Sequence, residues 1–282
     1  MHVVTLNRYP LKSATAVEVD RATVTRRGLE HDRRWMLIDP SGEFLTSRST
    51  PTLLLVRAEV TSDGLRCVSS DRTLEVPYPS GDGQPVRIWG QDTFGRDAGD
   101  EAAAWFSSYL ETECRLVYQQ DADRRPVKAR ARTLDDDIVS FADSYPVLLI
   151  GTASLGELNR RIGRKLSMDR FRPNIVVETT TPFEEDRWTS IRIGECTFAN
   201  AKPCPRCVLT TIDPATAQKD PDGEPLRTLS RFRRDLDEKH TWFGTNIVPR
   251  QLGEVRRGDV VVVEGIEDSV LRFPEDGAAA KT

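Results

Sequence analysis

The sequence lacks the features that mark several classes of protein. Its 282 residues contain no apolar run close to the roughly 20 residues that a membrane-spanning helix needs. Its net charge of −4 is far from the basic excess of a protein that binds nucleic acid without specificity. The N-terminus has no long apolar segment after a basic one. We therefore expect a cytoplasmic protein with no membrane or nucleic-acid partner.

Cysteine is scarce and mostly isolated. Of the five cysteines, Cys67, Cys114 and Cys196 stand alone in the sequence. An odd number without regular spacing does not suggest a disulfide framework. Only Cys204 and Cys207 are close enough to act as a local unit, so they are the first candidates for chemistry.

The first third of the chain reads as a series of short strands. β-Branched and large apolar residues alternate with turn signals such as residues 39–42. Strands this short and closely spaced predict a barrel or a sandwich rather than strand–helix–strand units. The predicted strands cover residues 3–6, 16–19, 35–38, 53–60, 65–68, 74–76 and 86–89.

Helical patterns begin only after residue 99. Acidic residues open a run with apolar residues at helical spacing over 102–110, which predicts a helix. A second helix is predicted from a cap at Thr152 or Ser154 to about Ile162. Residues 121–137 are charged and lack apolar periodicity, which predicts a loop that lines a site or links domains. Further strands are predicted at 145–150, 174–178, 191–193, 197–199, 208–212 and 260–264.

This order of elements predicts a mixed, β-rich α+β fold with few helices. We expect two closely packed β-rich units with a boundary between residues 115 and 130. The N-terminal domain is predicted at 1–120 and the second domain at 121–268. Residues 269–282 are largely polar and rich in alanine, so we expect a flexible tail there.

The segment Cys204-Pro-Arg-Cys207 fits more than one kind of site. A thioredoxin-like redox pair needs its first cysteine at a helix N-terminus. The β-branched run that follows, residues 208–212, instead predicts a strand. A zinc site needs two further ligands, and the nearest candidates, Cys196 and His240, lack the spacing of a second knuckle.

A third interpretation is a single thiolate ligand at the end of a strand. Lys202 and Arg206 flank the thiols and favour the thiolate form. Thiolate suits a soft or high-valent metal centre. The remaining alternative is that both cysteines are ordinary core residues, because free cysteine is among the most buried residue types. The spacing alone leaves these alternatives open.

Residues 202–214, with the sequence KPCPRCVLTTIDP, resemble the signature of MOSC domains. The likeness is strongest to the branch that contains bacterial YcbX and the mitochondrial amidoxime-reducing component. Further matching segments occur in order over nearly the whole chain, and such a series is far more specific than a lone Cys-x-x-Cys. They are residues 9–13, 31–35, 95–97, 141–144, 171–174 and 242–244. The resemblance implies a MOSC β-barrel packed against an N-terminal β-barrel domain.

The resemblance also implies a pocket for the molybdenum cofactor, a pterin with a terminal phosphate and a metal-binding dithiolene. In this branch the second cysteine of the pair is the molybdenum ligand, so Cys207 is predicted as the metal ligand and as a catalytic residue. Phosphate and pterin need cations and hydrogen-bond partners. The resemblance assigns to this pocket Lys12, Ser13, Arg33, Arg172, Asn174 and Arg206. For any single arginine, the alternative is an ion pair with a neighbour such as Asp32 or Asp169.

Four further residues have weaker signals. Asp143 matches a family position near the metal, and we predict that it is catalytic, orienting a water molecule or relaying a proton; a cap or turn residue is the alternative. Asp213, ahead of a proline, reads as a turn residue. His31 reads as a salt-bridged surface histidine. Asn246 stands where eukaryotic members carry an aromatic residue, which leaves the wall facing the substrate undefined.

The activity implied by the resemblance is reduction of N-hydroxylated compounds by a molybdenum-dependent oxidoreductase. Its substrates are hydroxylamines, amidoximes and N-hydroxylated nucleobases. No cysteine follows Cys207, so we expect electrons from a separate flavin or iron–sulfur reductase rather than from the ferredoxin domain of some relatives. The alternatives are a carrier of molybdenum cofactor and a sulfur-transfer module that uses Cys207 as a persulfide.

Overall fold

Strands carry most of the regular structure in the computed structural model, which describes residues 1–70, 72–130, 132–237, 240–268 and 271–273. The strands are β1 (Val3–Arg8), β2 (Val17–Val19), β3 (Arg21–Thr25), β4 (Gly28–Leu29), β5 (Trp35–Ile38), β6 (Arg57–Val60), β7 (Gly64–Ser69), β8 (Arg72–Pro77), β9 (Gly83–Ile88), β10 (Gln91–Asp97), β11 (Arg115–Tyr118), β12 (Val147–Gly151), β13 (Ile175–Val177), β14 (Trp188–Ile193), β15 (Cys196–Pro205), β16 (Trp242–Gln251), β17 (Gly253–Arg256) and β18 (Val261–Ile266). The α-helices are α1 (Asp100–Leu110), α2 (Thr152–Ile162) and α3 (Leu226–Phe232). Short 3₁₀ helices cover Pro51–Leu55, Met168–Phe171, Glu184–Asp186 and Val208–Thr211.

The described strands form four sheets. The largest has eight strands in the order β18-β14-β15-β16-β12-β13-β1-β2, and a four-stranded sheet has the order β5-β11-β10-β9. Two three-stranded sheets have the orders β17-β3-β4 and β6-β7-β8. The mixed, β-rich α+β class with few helices is therefore confirmed. The sheets are open in strand order rather than closed barrels, although a bridge between His2 and Val260 links the segments beside β1 and β18.

The N-terminal strands are part of the large sheet. Strand β1 pairs antiparallel with β13, with Leu6 opposite Ile175, and β13 pairs in parallel with β12. Strands β1 and β2 thus share a sheet and an apolar core with strands from the C-terminal half. The domain division at residue 120 stays a prediction. Of the predicted tail at 269–282, the structure describes only residues 271–273, where the Arg272 carbonyl accepts from the Leu236 N–H and the Arg272 N–H donates to the Asp235 carboxylate.

Helix α2 is present as predicted, but its cap differs. Gly151 is the N-cap, and neither Thr152 nor Ser154 caps the helix with its side chain. The first N–H groups are instead satisfied from elsewhere in the chain: Gly151 N–H donates to Glu185, and Ala153 N–H donates to the hydroxyl of Thr179. Sequence patterns indicate only local capping partners, so the hydroxyls nearest to the start of the helix were the candidates.

Two predicted strands are wrong in whole or in part. Residues 208–212, predicted as a strand, form the 3₁₀ helix Val208–Thr211, in which the Thr210 and Thr211 hydroxyls donate to the carbonyls three residues back. The predicted strand 53–60 is a 3₁₀ helix followed by the shorter strand β6. In each 3₁₀ helix two residues are buried without strand pairing, Thr210 and Thr211 in one and Leu53 and Leu54 in the other, so tertiary packing outweighs local propensity.

Candidate functional site

A cavity of about 910 Å³ lies where loops of the large sheet meet loops of the four-stranded sheet. The large sheet contributes the turn after β1, the loops before β12 and β13 and the end of β15. The four-stranded sheet contributes the loop after β5 and the β9–β10 turn. All eight predicted site residues line this one cavity, although they are distant in sequence: Lys12, Ser13, Arg33, Asp143, Arg172, Asn174, Arg206 and Cys207.

The cavity is strongly cationic, in contrast to the net charge of −4 for the whole chain. Nine lysine or arginine side chains line it, and Asp143 supplies the only carboxylate among the described lining residues. Clustered guanidinium and ammonium groups create a positive potential that favours an anionic ligand. The nine are Lys12, Arg33, Arg48, Lys128, Arg130, Arg170, Arg172, Lys202 and Arg206.

Backbone strain is concentrated in the same place. Nine described residues other than glycine have positive φ, and four of them line this cavity. The four are Ser13, Arg33, Trp89 and Arg172, with φ of 70°, 48°, 52° and 56°. The left-handed region is unfavourable for residues with a Cβ atom, and such strain collects at functional sites. This clustering supports a ligand-binding role for the cavity independently of its charge.

Arg33 and Arg172 are held against the ring of Tyr9, with guanidinium carbons 4.0 and 4.3 Å from its centroid. Arg33 also forms an ion pair with the fully buried Asp32 at 2.6 Å. It therefore lines the cavity and is also paired with an acidic neighbour, which was the alternative interpretation of this arginine. Arg172 instead donates to the Ala14 carbonyl at 2.7 Å, and it forms no ion pair among the described residues. Burial lowers the pKa of Arg172 to about 10.

The amide of Asn174 is fully used within the protein. Its oxygen accepts from Arg33 at 3.0 Å and from the Leu148 N–H at 3.2 Å, and its nitrogen donates to Asn7 and Asp32. An asparagine side chain has two donors and two acceptor sites, so none is left over for a ligand. Asn174 therefore fixes the orientation of Arg33 in this structure, and its direct contact with the cofactor stays a prediction.

Asp143 and Lys12 form an ion pair at the cavity wall. The Lys12 ammonium lies 2.5 Å from Asp143 and donates to the Phe141 carbonyl at 2.7 Å. Burial alone raises the pKa of Asp143, but Lys12 and Arg48 outweigh it and hold that pKa well below its usual range. Burial lowers the pKa of Lys12 to about 8, against the opposing effect of Asp143. At neutral pH, Asp143 is an ionised hydrogen-bond acceptor.

Cys207 follows β15 and begins the 3₁₀ helix Val208–Thr211. Its sulfur accepts a hydrogen bond from Nε of Arg48 at 3.2 Å, and Nη2 of Arg48 lies 3.3 Å from Asp143. Cys204 lies within β15, and burial raises the pKa of its thiol. All five cysteines are unpaired thiols.

The positions of Cys204 and Cys207 disfavour a thioredoxin-like redox pair for a reason that the sequence does not show. The strand expected after Cys207 is absent, so it cannot count against a thioredoxin-like site. The objection is now that Cys204, the cysteine that would need a low pKa, lies in a strand, and the pKa of its thiol is raised. Cys196, a candidate zinc ligand, is buried in the core of the large sheet, whereas His240 lines the cavity.

Three residues around Asp143 and Cys207 were not predicted from the sequence. Arg48 and Trp89 line the cavity beside them, and Arg125 lies behind it. The guanidinium of Arg125 donates to the carbonyls of Ser140, Ala142 and Asp143, which fixes the loop that carries Asp143. The only sequence signal was general: Arg125 and the cavity residues Lys128 and Arg130 lie in the charged segment predicted to line a site.

The remaining predictions concern Asp213, His31 and Asn246. Asp213 accepts N–H groups of the following turn and pairs with Arg170 at 2.8 Å, as expected of a turn residue. His31 lies 4.0 Å from Glu30 and is not among the lining residues. Asn246 does line the cavity, where it is opposite Lys202 in the β15–β16 ladder.

Fold and site together define a β-rich protein with a large cationic cavity that has a cysteine thiol at its wall. The donor set fits molybdenum cofactor: cations for a phosphate, a cavity of sufficient size and the half-buried thiol of Cys207 as a sulfur ligand, with Cys204 as a second thiol at the cavity wall. Residues 1–113 match the MOSC N-terminal beta barrel domain, and residues 136–262 match the MOSC domain.

Mitochondrial amidoxime reducing component 2 of Bos taurus is 37% identical over 274 residues, which cover 90% of this chain and 80% of that protein. The Homo sapiens protein of the same name is 37% identical over 270 residues with the same coverage. The chain belongs to the family of MOSC proteins that includes these amidoxime-reducing components. A solved structure with partial likeness is the crystal structure of the YUAD protein from Bacillus subtilis, which has a TM-score of 0.41 and 10% sequence identity. The match covers 92% of this chain and 93% of the YUAD chain, but it is too distant to inform the site.

Within the described part of the chain, no helix is long and apolar enough to cross a bilayer. The names of the relatives place those proteins in mitochondria. The cytoplasmic location therefore stays a prediction.

Proposed function

We propose that this chain is a molybdenum-cofactor-dependent reductase of N-hydroxylated compounds. Membership of the family agrees with the predicted enzyme class, because its relatives are named for the reduction of amidoximes. The observation that supports the proposal most directly is the position of Cys207, whose thiol lines a cavity with nine cationic side chains and one carboxylate. The hydroxylamines and N-hydroxylated nucleobases predicted from the sequence remain part of the proposed substrate class.

The cavity residues divide into two groups. Arg172 and Arg33 would hold the phosphate, with Ser13 as a hydroxyl donor, and Asn174 would fix the orientation of Arg33. Cys207 would bind the metal, and Arg206 is anchored beside it by the Phe243 and Phe171 carbonyls. When bound, the cofactor supplies the two-electron redox chemistry. The net reaction uses two electrons and two protons to convert N–OH to N–H and water.

The protein's own task in this reaction is to position groups and deliver protons. Asp143 is ionised and can accept a hydrogen bond from the substrate N–OH or from water. Lys12, with a pKa of about 8, holds a proton on Nζ 2.5 Å from Asp143. An acid with a pKa near the working pH transfers a proton readily, so Lys12 is our candidate for the proton reservoir of the site.

Molybdenum content tests the ligand role. We expect about one molybdenum per chain in the purified protein, little in Cys207→Ala and a nearly normal amount in Cys204→Ala, which is the matched control. Loss of molybdenum in both variants to the same extent would contradict the assignment of Cys207 as the single ligand. Reduction of an N-hydroxylated adenine by the wild type with reduced viologen as donor then tests the activity.

The carrier and sulfur-transfer alternatives predict other results. A cofactor carrier contains molybdenum but does not turn over any N-hydroxylated compound with reduced viologen. A sulfur-transfer module contains a persulfide on Cys207, which mass spectrometry detects as one extra sulfur that thiol reductants remove. Either result would replace the reductase proposal.

A second, more open cavity of about 480 Å³ supports the proposal of a separate electron donor. It shares Arg206 and His240 with the first cavity and adds the exposed cations Lys219, Arg227 and Arg234. An acidic flavin or iron–sulfur protein docked there would lie beside Val208, one peptide bond from Cys207. Reduction by an acidic two-iron ferredoxin should slow in Arg227→Glu/Arg234→Glu, while reduction by viologen should not.

A further inference from the structure

The turn between β9 and β10 places a tryptophan at the rim of the large cavity in an unusual conformation. Ile88 pairs with Gln91, so Trp89 and Gly90 form a two-residue turn with φ of 52° and 74°. Such turns normally carry Asn, Asp or Gly at the first position. A bulky side chain there costs roughly 1 kcal/mol or more. Turn geometry disfavours a tryptophan at this position. Burial does not explain it either, because Trp89 is 45% exposed.

Two contacts hold the indole ring in place. The Phe44 ring packs against it edge-on with centroids 4.8 Å apart, and the Arg48 guanidinium carbon lies 4.4 Å from its centroid. Trp89 also lies near Asp143 and, after Lys12 and Arg48, helps to hold the pKa of that carboxyl below its usual range. The ring is therefore fixed in orientation, with one face covered by Arg48, while Trp89 as a whole stays 45% exposed and lines the cavity. An aromatic side chain that is held but not covered is preorganised to contact a ligand.

The ring is also close to the proposed reaction site. Arg48 contacts both Cys207 and Trp89. Its Nε lies 3.2 Å from the Cys207 sulfur, and its guanidinium lies over the indole ring. A substrate whose N–O group is near Cys207 can extend past Arg48 to the part of the Trp89 ring that Arg48 leaves uncovered, if its body is large enough. A planar heteroaromatic base offers a face for stacking, which contributes about 1–3 kcal/mol per base. A small aliphatic compound has no such face.

We infer that Trp89 is a specificity-determining residue that stacks on the planar body of the substrate and favours N-hydroxylated heteroaromatic bases over aliphatic N-hydroxylated compounds. This inference rests on the proposed reductase function. The competing explanation is that Trp89 only supports Arg48 and Asp143, which would affect all substrates equally.

The kinetic test compares two substrates in Trp89→Ala and Trp89→Phe, with rates normalised to bound molybdenum. The substrates are N-hydroxylated adenine and N-methylhydroxylamine. Loss of stacking should lower the ratio of their kcat/KM values about tenfold in Trp89→Ala, mainly through KM for the base, and Trp89→Phe should restore most of the ratio. An unchanged ratio in Trp89→Ala, even with lower rates for both substrates, overturns the inference.

A binding measurement separates this inference from the proposed function. Adenine, the product of the base reaction, should bind the wild-type protein in calorimetry and bind Trp89→Ala about tenfold more weakly. Phe94→Ala is the control, because Phe94 is also an exposed aromatic residue of this hairpin but does not line the cavity. Equal binding by wild type and Trp89→Ala, or no binding by wild type, contradicts the role of Trp89. Absence of turnover with both substrates in wild type contradicts the reductase proposal instead.

Discussion

The guanidinium of Arg48 joins Cys207 to Asp143. Its Nε lies 3.2 Å from the Cys207 sulfur, and its Nη2 lies 3.3 Å from the Asp143 carboxylate. The two residues predicted to be catalytic are thus linked by a third that no sequence motif indicated. Lys12 holds the other oxygen of Asp143, so the carboxylate is oriented from two directions.

Replacement of Arg48 should impair turnover more than cofactor loading. Arg48→Ala removes a charge-assisted contact to each catalytic residue, and such contacts contribute about 1.5–3 kcal/mol. We expect kcat/KM per bound molybdenum to fall at least about tenfold, with only partial recovery in Arg48→Lys, whose single ammonium cannot reproduce both contacts. Arg57→Ala, at an exposed arginine of β6 paired with Glu59, is the control. Wild-type kcat/KM in Arg48→Ala would contradict this role.

Arg33 and Arg172 should differ in their effects on stability. Arg33→Gln leaves the buried carboxylate of Asp32 without its cation, which should destabilise the cofactor-free protein by about 3 kcal/mol. Arg172→Gln removes a cation whose charged form is disfavoured by burial, so stability should be unchanged or higher. Both variants should lose cofactor faster on gel filtration. Urea unfolding of the cofactor-free proteins measures the free energy of unfolding of each variant. Equal destabilisation by Arg33→Gln and Arg172→Gln would contradict this prediction.

Arg125 should act on Asp143 through the backbone. Arg125→Met leaves the carbonyls of Ser140, Ala142 and Asp143 without the guanidinium that they share. Unsatisfied buried acceptors should lower the free energy of unfolding by about 3 kcal/mol. The displaced loop should also lower kcat. A variant that unfolds earlier but keeps the wild-type kcat would show that Arg125 supports the fold without positioning Asp143.

Glu185 should make stability depend on pH. Burial raises its pKa to about 7, and the adjacent Asp186 adds to the shift. A pKa raised in the folded state gives stability that is fully present below the unfolded pKa near 4.5 and is lost as pH rises through 7. Glu185→Gln keeps hydrogen-bonding capacity towards Ser154 without the charge. Between pH 5 and pH 8, its urea midpoint should therefore fall less than that of wild type, and an equal fall would refute the prediction.

The sequence by itself determined the composition of the site and the class of fold. Ordered motifs containing Lys12, Arg33, Arg172 and Cys207 identified residues that all line one cavity. Alternating apolar residues determined the β-rich class, because period-two patterns are local. The α1 helix followed from the same kind of local signal, with its acidic first turn and buried residues at helical spacing.

Only the tertiary structure decided how these residues work together. Arg48 and Cys207 are separated by 159 positions, and no local pattern encodes a contact of that range. Residues 208–211 form a 3₁₀ helix despite their β-branched composition, because packing outweighs a weak local preference. The cap of α2 comes from Glu185 and Thr179 rather than from its own first residues. The sequence supplied the chemical groups, whereas the fold set the distances between them.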